Sequence, residues 1–157
     1  MSFYKQQEYD FVCRTRTIIE QYDRLQIDEK EKFEVTLFIN CLVGLLIIPQ
    51  QHWYDNLPTE IISQEKWGIS PNDIKKNNKD NTVNEVARHL RNSVAHYNFK
   101  VISDDVSKKI DKIKFEDFTD KTKTNKTFEE TISVSNLRKF TTQLTDCMLT
   151  EMQKERS

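Results

Sequence analysis

Apolar residues recur at intervals of three and four along several segments of the chain, which is the spacing of amphipathic helices. The pattern predicts a first helix within residues 3–26 and a second over the stretch VTLFINCLVGLLII, residues 35–48, which must stop before Pro49. Because the second stretch is apolar on nearly all sides, we expect it at the centre of the core.

A third, short helix is predicted from the segment NLPTEIISQEKWG, in which Asn56 can act as the N-cap and Gly68 can end the helix. The polar stretch ISPNDIKKNNKDN, residues 69–81, is expected to be a loop. Thr82 and Glu85 then have the spacing of a capping box, which predicts the start of a fourth helix. The apolar face of this helix is predicted to consist of Val83, Val86, Ala87, Leu90, Val94 and Tyr97.

Beyond the fourth helix the period of the apolar residues changes from about 3.6 to about 2, which indicates strands. The alternating segments are FKVIS, IDKIKFEDF and KTFEETISV. A last helix is predicted from Ser135, its cap, through residue 154. These elements predict a mainly α fold, a helical bundle with a small antiparallel β-hairpin or meander between the fourth helix and the last.

Composition also favours a helix-rich protein, since the 157 residues include only two glycines and three prolines, and 31% are charged. A chain of this length can bury its own core, so we expect a single domain over residues 1–157. The formal net charge is −1, and binding of nucleic acid would therefore depend on a local patch or pocket. The lysines between residues 108 and 126 are expected on strand and loop surfaces, because acids are interleaved with them: Asp111, Glu116, Asp117 and Asp120.

The sequence favours a cytoplasmic protein with no membrane partner. The segment MSFYKQQEYD lacks the basic start and apolar run of a signal peptide. Residues 35–48 are interrupted by Asn40 and fall short of the ~20 residues that span a bilayer. The three cysteines, Cys13, Cys41 and Cys147, are odd in number and widely spaced, which indicates reduced thiols. No phosphate loop, nucleophile elbow or metal-ligand spacing occurs, so we expect no cofactor and no metal.

The fourth helix ends in the segment RHLRNSVAHYNF, residues 88–99, in which Arg91, Asn92 and His96 lie around the side opposite the apolar stripe. Arg91 and His96 lie roughly 140° apart around an ideal helix, too far to converge on one phosphate unless the helix ends or tightens near His96. If two copies pack this helix against its symmetry mate, each contributes both side chains to one cleft. Asn92 precedes His96 by four residues, so its amide could orient the imidazole or contact a substrate.

Imidazole and guanidinium groups in one cleft suit cleavage of a phosphodiester without a metal. Imidazole can accept a proton near neutral pH and, once charged, return it. The planar fork of arginine binds a phosphate whose oxygens gain charge during the transfer. The ribose 2′-hydroxyl of RNA is an internal nucleophile, so this chemistry predicts an RNA substrate and leaves DNA uncut.

The segment LRNSVAHYNF resembles the signature of the HEPN superfamily, in which an arginine and a polar residue are followed by a short spacer and a histidine at the end of a bundle helix. The segments EVTLFINCLVGLLIIP, IKFEDF and FEETISVSNLRKF extend the resemblance, to plasmid- and defence-associated HEPN proteins, over most of residues 10–150. The resemblance implies a HEPN-like bundle that forms a homodimer and acts as a metal-independent endoribonuclease in toxin or anti-phage systems, held in check by an antitoxin or regulatory partner. It also implies that Arg91 and His96 are catalytic and that Asn92 assists them.

Less specific interpretations of the same residues stay open. Arg91 could form a surface ion pair, and His96 could be a helix-terminal histidine stabilised by the helix dipole. Arg88 could bind substrate phosphate or be a solvated charge, and His89, beside the apolar stripe, is expected to pack rather than react. Two other functions remain: a noncatalytic HEPN-like module that binds a nucleotide, RNA or a protein through the same groove, and a helical structural protein in which the motif is a coincidence.

Overall fold

The computed structural model describes residues 6–28, 33–47, 53, 55–106 and 110–155. Its helices are α1 (Gln7–Arg24), α2 (Glu34–Ile47), α3 (Gln64–Trp67), α4 (Val83–Ala95) and α5 (Val134–Lys154). Helices α1, α2 and α5 pack against one another around a shared apolar core, and α4 packs against α2 and the sheet. In the described ranges no helix has the combination of length and apolar character needed to cross a lipid bilayer.

The strands are β1 (Lys76–Asn77), β2 (Phe99–Ser103), β3 (Ile110–Phe118) and β4 (Lys126–Ser133), in a four-stranded antiparallel sheet of order β1-β4-β3-β2. The prediction of a mainly α fold, a helical bundle with a small hairpin or meander, is therefore wrong, because the fold is mixed α/β. Strands β2, β3 and β4 lie on the three alternating segments. Strand β1 lies in a polar stretch without alternation, and it pairs with β4, which is distant along the chain.

Two helices begin at other residues than the sequence predicts. Helix α3 begins after Ser63 and not near Asn56, although it ends at Gly68 as predicted. Helix α5 begins after Ser133, two residues before the predicted cap Ser135. In both helices the capping serine has extended backbone and its hydroxyl accepts a backbone N–H of the first turn. Periodicity locates a helix, whereas the cap geometry determines its first residue.

The face of the sheet that meets the helices is apolar apart from two carboxyl groups. It carries Ile113, Phe115, Phe128 and Ile132, each 2% exposed or less. Asp117 of β3 and Glu130 of β4 belong to the same face and are 4% and 3% exposed. A buried carboxyl group needs hydrogen-bond partners or a shifted pKa, and these two residues satisfy that requirement differently.

Glu130 remains in the core largely by holding its proton. One of its carboxyl oxygens, Oε2, has no hydrogen-bond partner in the described part of the chain. Burial, together with repulsion from Asp73, raises the pKa of Glu130 from 4.5 to about 7. Between these two values the folded state binds a proton that the unfolded chain has released, so the stability of the fold decreases as the pH rises through this window.

We expect Glu130→Gln to raise the free energy of unfolding by about 3 kcal/mol at pH 8.5 and to change it little at pH 4.5, because glutamine has the shape of the carboxyl group but no charge. Urea unfolding of both proteins at the two pH values measures the difference. Glu65→Gln, at an exposed position of α3, is the matched control. An equal gain at both pH values would contradict the expected protonation of Glu130.

Candidate functional site

Helix α4 begins after Thr82, as predicted, but the predicted capping box is not formed. The Thr82 side chain makes no cap hydrogen bond. Instead, Asn84 Oδ1 accepts the Thr82 hydroxyl at 2.7 Å and the Glu85 N–H at 2.9 Å. From this start the helix buries the predicted residues Val83, Val86, Ala87, Leu90 and Val94. Burial of this stripe leaves Arg88, Arg91 and Asn92 half-buried at its borders.

The helix ends abruptly at the histidine of the motif. Ala95 is the last helical residue, and His96 is the C-cap with φ −102° and ψ 10°. Tyr97 has φ 54°, in the left-handed region that favours glycine. The Tyr97 N–H donates to the carbonyl of Val94 at 3.1 Å and the Asn98 N–H donates to that of Ser93 at 2.7 Å. This pair of bonds is a Schellman motif, and a tyrosine occupies the position where glycine is usual.

The left-handed turn brings the end of the motif to the surface. Ala95 and His96 are exposed, and Tyr97 is 79% exposed. Tyr97 therefore does not belong to the apolar face of α4, contrary to the prediction. Its ring forms a T-shaped pair with that of Phe99, at 5.1 Å between centroids. Arg91 and His96 could converge on one phosphate only if the helix ended or tightened near His96. The helix does end there.

The motif side chains occupy different surroundings. His96 is exposed on the turn, and Arg91 is half-buried on the last turns of the helix. Asn92 is also half-buried, and its amide nitrogen Nδ2 donates to Asp117 Oδ2 at 3.0 Å. The link from Asn92 to His96 is through the backbone, since the His96 N–H donates to the Asn92 carbonyl at 3.0 Å. The amide of Asn92 is therefore directed to the interior of the same chain.

Arg88 is partly enclosed by acids. Its guanidinium lies 3.0 Å from Glu85 and 3.6 Å from Asp55, and its side chain is 34% exposed. The two carboxylates balance the charge of Arg88, which leaves less of it for a phosphate.

The buried carboxylate of Asp117, next to α4, accepts three hydrogen bonds. Oδ2 lies 2.8 Å from His89 Nδ1 and accepts the amide of Asn92, and Oδ1 accepts the N–H of Phe118 at 2.9 Å. Asp117 is therefore a buried acid, although the lysines interleaved with it are predicted on strand and loop surfaces. The alternation of β3 does predict burial of Asp117, because Asp117 lies on the same face of the strand as the apolar residues Ile113 and Phe115.

The ionisation of Asp117 follows from these contacts. Burial alone would raise the pKa of this carboxyl group, but the hydrogen bonds from His89, Asn92 and Phe118 outweigh it and lower the pKa below its usual value. Asp117 is therefore an ionised acceptor, and His89 must carry a proton on Nδ1 to donate to it. The imidazole of His89 stacks on Phe128, at 4.8 Å between ring centroids and 8° between planes. His89 packs in the core, as its place beside the apolar stripe predicts.

Other kinds of reactive group are less well placed. Within the described ranges no cluster of three or more histidine, cysteine, aspartate or glutamate side chains could hold a metal ion. The cysteines are free thiols, as predicted. Burial raises the pKa of Cys41 to about 11 and also raises that of Cys147, so neither supplies a thiolate at neutral pH. The end of α4, which carries Arg91 and His96, is therefore the candidate functional site.

Comparison with known proteins identifies the family of the chain. A family model described as HEPN pEK499 p136 matches residues 1–155 of the chain. The searches of curated proteins and of solved structures found no match to the chain.

Proposed function

Because the chain belongs to the HEPN pEK499 p136 family, we propose that it is a metal-independent endoribonuclease whose active site forms between two copies of the chain. The observation that carries this proposal is the abrupt end of α4, where the left-handed Tyr97 stops the helix and leaves His96 exposed. Arg91 lies on the last turns of the same helix, at the border of its buried face. An exposed imidazole and a guanidinium on the same helix end are the groups that acid–base cleavage of RNA requires.

In the proposed cleft one copy of His96 acts as the general base and the other as the general acid. One neutral imidazole removes the proton of the ribose 2′-hydroxyl, whose oxygen then attacks the adjacent phosphorus. A protonated imidazole from the other copy donates its proton to the departing 5′-oxygen as the bond between phosphorus and this oxygen breaks. Arg91 binds the phosphate oxygens, which gain charge in the transition state. The products are a 2′,3′-cyclic phosphate and a free 5′-hydroxyl.

The surface around His96 allows a second copy to approach. Ala95 and His96 are both exposed at the end of α4, and the small side chain of Ala95 obstructs a facing helix little. We assign Asn92 a supporting role and leave Arg88 as a subsidiary phosphate contact, since its charge is balanced by Glu85 and Asp55. An RNase of this kind in the cytoplasm would act as a toxin or an anti-phage effector and would need a partner protein that restrains it.

The test is incubation of the purified protein with a labelled mixed-sequence RNA oligonucleotide in the presence of a chelator. We expect fragments that end in a 2′,3′-cyclic phosphate, which mass spectrometry distinguishes from a 3′-hydroxyl. A matched oligonucleotide with 2′-deoxyriboses throughout should stay intact, because it lacks the nucleophile. Fragments with 3′-hydroxyl ends, or equal cleavage of the deoxy oligonucleotide, would contradict this mechanism.

A noncatalytic binding module is the second candidate, and one observation favours it. Asn92 and Arg88, two of the polar side chains of the motif helix, are engaged by carboxylates of their own chain. A groove that retains fewer groups for chemistry could still bind RNA or a nucleotide through Arg91 and the exposed Tyr97. Binding of the labelled RNA without any cleavage, measured by gel shift in the same buffer, would favour this function over the nuclease.

A further inference from the structure

Asp117 holds helix α4 by two side chains at once. Its Oδ2 lies 2.8 Å from Nδ1 of His89 and 3.0 Å from Nδ2 of Asn92. The two donors are three residues apart on the helix and therefore lie on one side of it. Since Oδ1 accepts the N–H of Phe118 at 2.9 Å, each oxygen of the carboxylate is occupied from within the chain. Asp117 thus fixes both the distance of the helix from β3 and its rotation about its axis.

The neighbouring residue of the same strand holds the chain after the turn. The Glu116 N–H donates to the carbonyl of Asn98 at 2.9 Å, and the Asn98 N–H donates to the carbonyl of Ser93 on the helix. Strand β3 therefore binds the chain at Asn92, before the turn, and at Asn98, after it. His96 lies between these two attachments, so its direction depends on both of them.

We propose that Asp117 is a positioning residue of the RNase site: through Asn92 it fixes the end of α4 so that His96 and Arg91 keep their relative direction. This inference rests on the proposed function. It also assigns Asn92 a different role from contact with RNA, because the amide that would reach a substrate is bonded to Asp117 in the interior. Asp117 is 4% exposed as a residue, so its carboxylate does not touch the substrate.

The test compares the cleavage kinetics of Asp117→Ala and Asn92→Ala with those of the wild type on a fluorogenic mixed-sequence RNA oligonucleotide. We expect each substitution to lower kcat by about 10- to 100-fold, the range found when a residue that orients a metal-bound histidine is lost, with little change in KM. The double variant should be no slower than Asp117→Ala, since Asn92 acts through its bond to Asp117, which that variant already lacks. Multiplied effects would mean that Asn92 acts on the RNA independently of Asp117 and would overturn the inference.

Ile113→Ala separates positioning from loss of stability. Ile113 lies on the same strand and the same buried face as Asp117, four residues earlier, so its truncation weakens the same part of the core. All variants are assayed well below their melting temperatures. A kcat for Asp117→Ala equal to that for Ile113→Ala would show that Asp117 is only structural. If Asp117→Ala does not fold, Asp117→Asn, which keeps one acceptor oxygen, takes its place in the same comparison.

Amide hydrogen exchange distinguishes failure of this inference from failure of the proposed function. In the Asp117 variants the amides of His96 and Tyr97 should exchange faster than in Ile113→Ala, because the helix end is no longer held. If the wild type never cleaves RNA, the proposed function fails, whereas faster exchange at these two amides still shows that Asp117 holds the helix end. Unchanged exchange there would overturn the positioning role, whatever the activity of the wild type.

Discussion

Exchange of His96 for glutamine is expected to lower the rate of RNA cleavage by roughly 10²- to 10⁴-fold, the usual contribution of a general acid or base. Glutamine keeps a polar side chain of similar reach but cannot carry a proton between the 2′-hydroxyl and the departing 5′-oxygen. Because His96 is exposed at the C-cap and its backbone N–H is the group that bonds to the helix, the fold should tolerate the exchange. Single-turnover cleavage of the labelled RNA measures the effect on the chemical step.

Two measurements accompany this exchange. The melting temperature and the elution volume of His96→Gln should match those of the wild type, since surface substitutions usually change stability by less than about 0.5 kcal/mol. Thr142→Gln, at an exposed position of α5, is the control for an added amide remote from α4. Cleavage by His96→Gln within about threefold of the wild-type rate, far from the loss expected for a general acid or base, would show that the imidazole takes no part in the reaction.

The course of α4 could be predicted from the sequence up to its last turn, but not beyond it. The buried stripe from Val83 to Val94 follows a helical period and is present as predicted. Tyr97 continues that period in the sequence and nevertheless lies outside the helix. A glycine at this position would have predicted a left-handed turn, whereas a tyrosine does not, because it rarely adopts a positive φ. In the fold this preference is outweighed by the two hydrogen bonds from Tyr97 and Asn98 back to the helix.

The interior contact of the site shows a different limit. The parity of β3 places Asp117 with the apolar residues Ile113 and Phe115, and a buried aspartate must find donors. The interleaved lysines and acids predict that the lysines lie on strand and loop surfaces, and they give no sign that Asp117 is buried. Even the correct face would not have identified His89 and Asn92 as the donors, because the packing of α4 on β3 is a tertiary contact that no local pattern encodes.

The class of the fold was missed for a related reason. Lys76 and Asn77 lie in a polar segment with no strand period, yet they pair with Glu129 and Phe128. An edge strand needs little sequence preference of its own when the neighbouring strand already offers free backbone groups. Local periodicity therefore predicts β2, β3 and β4 but not the edge strand β1. For this reason the sequence predicts a smaller sheet, and a more helical fold, than the structure has.

A dimer with only one intact copy should be almost inactive if the site is shared. In the proposed cleft one His96 is the base and the other is the acid, so loss of either imidazole stops the reaction. We expect a heterodimer of wild type and His96→Gln, isolated with two different affinity tags, to cleave RNA at least about tenfold more slowly than the wild-type dimer. If each copy instead contained a complete site, the heterodimer would keep about half of the activity. A heterodimer with Thr142→Gln in one copy controls for tagging and reassembly, and retention of half the rate in the His96 heterodimer would show that the two copies act independently.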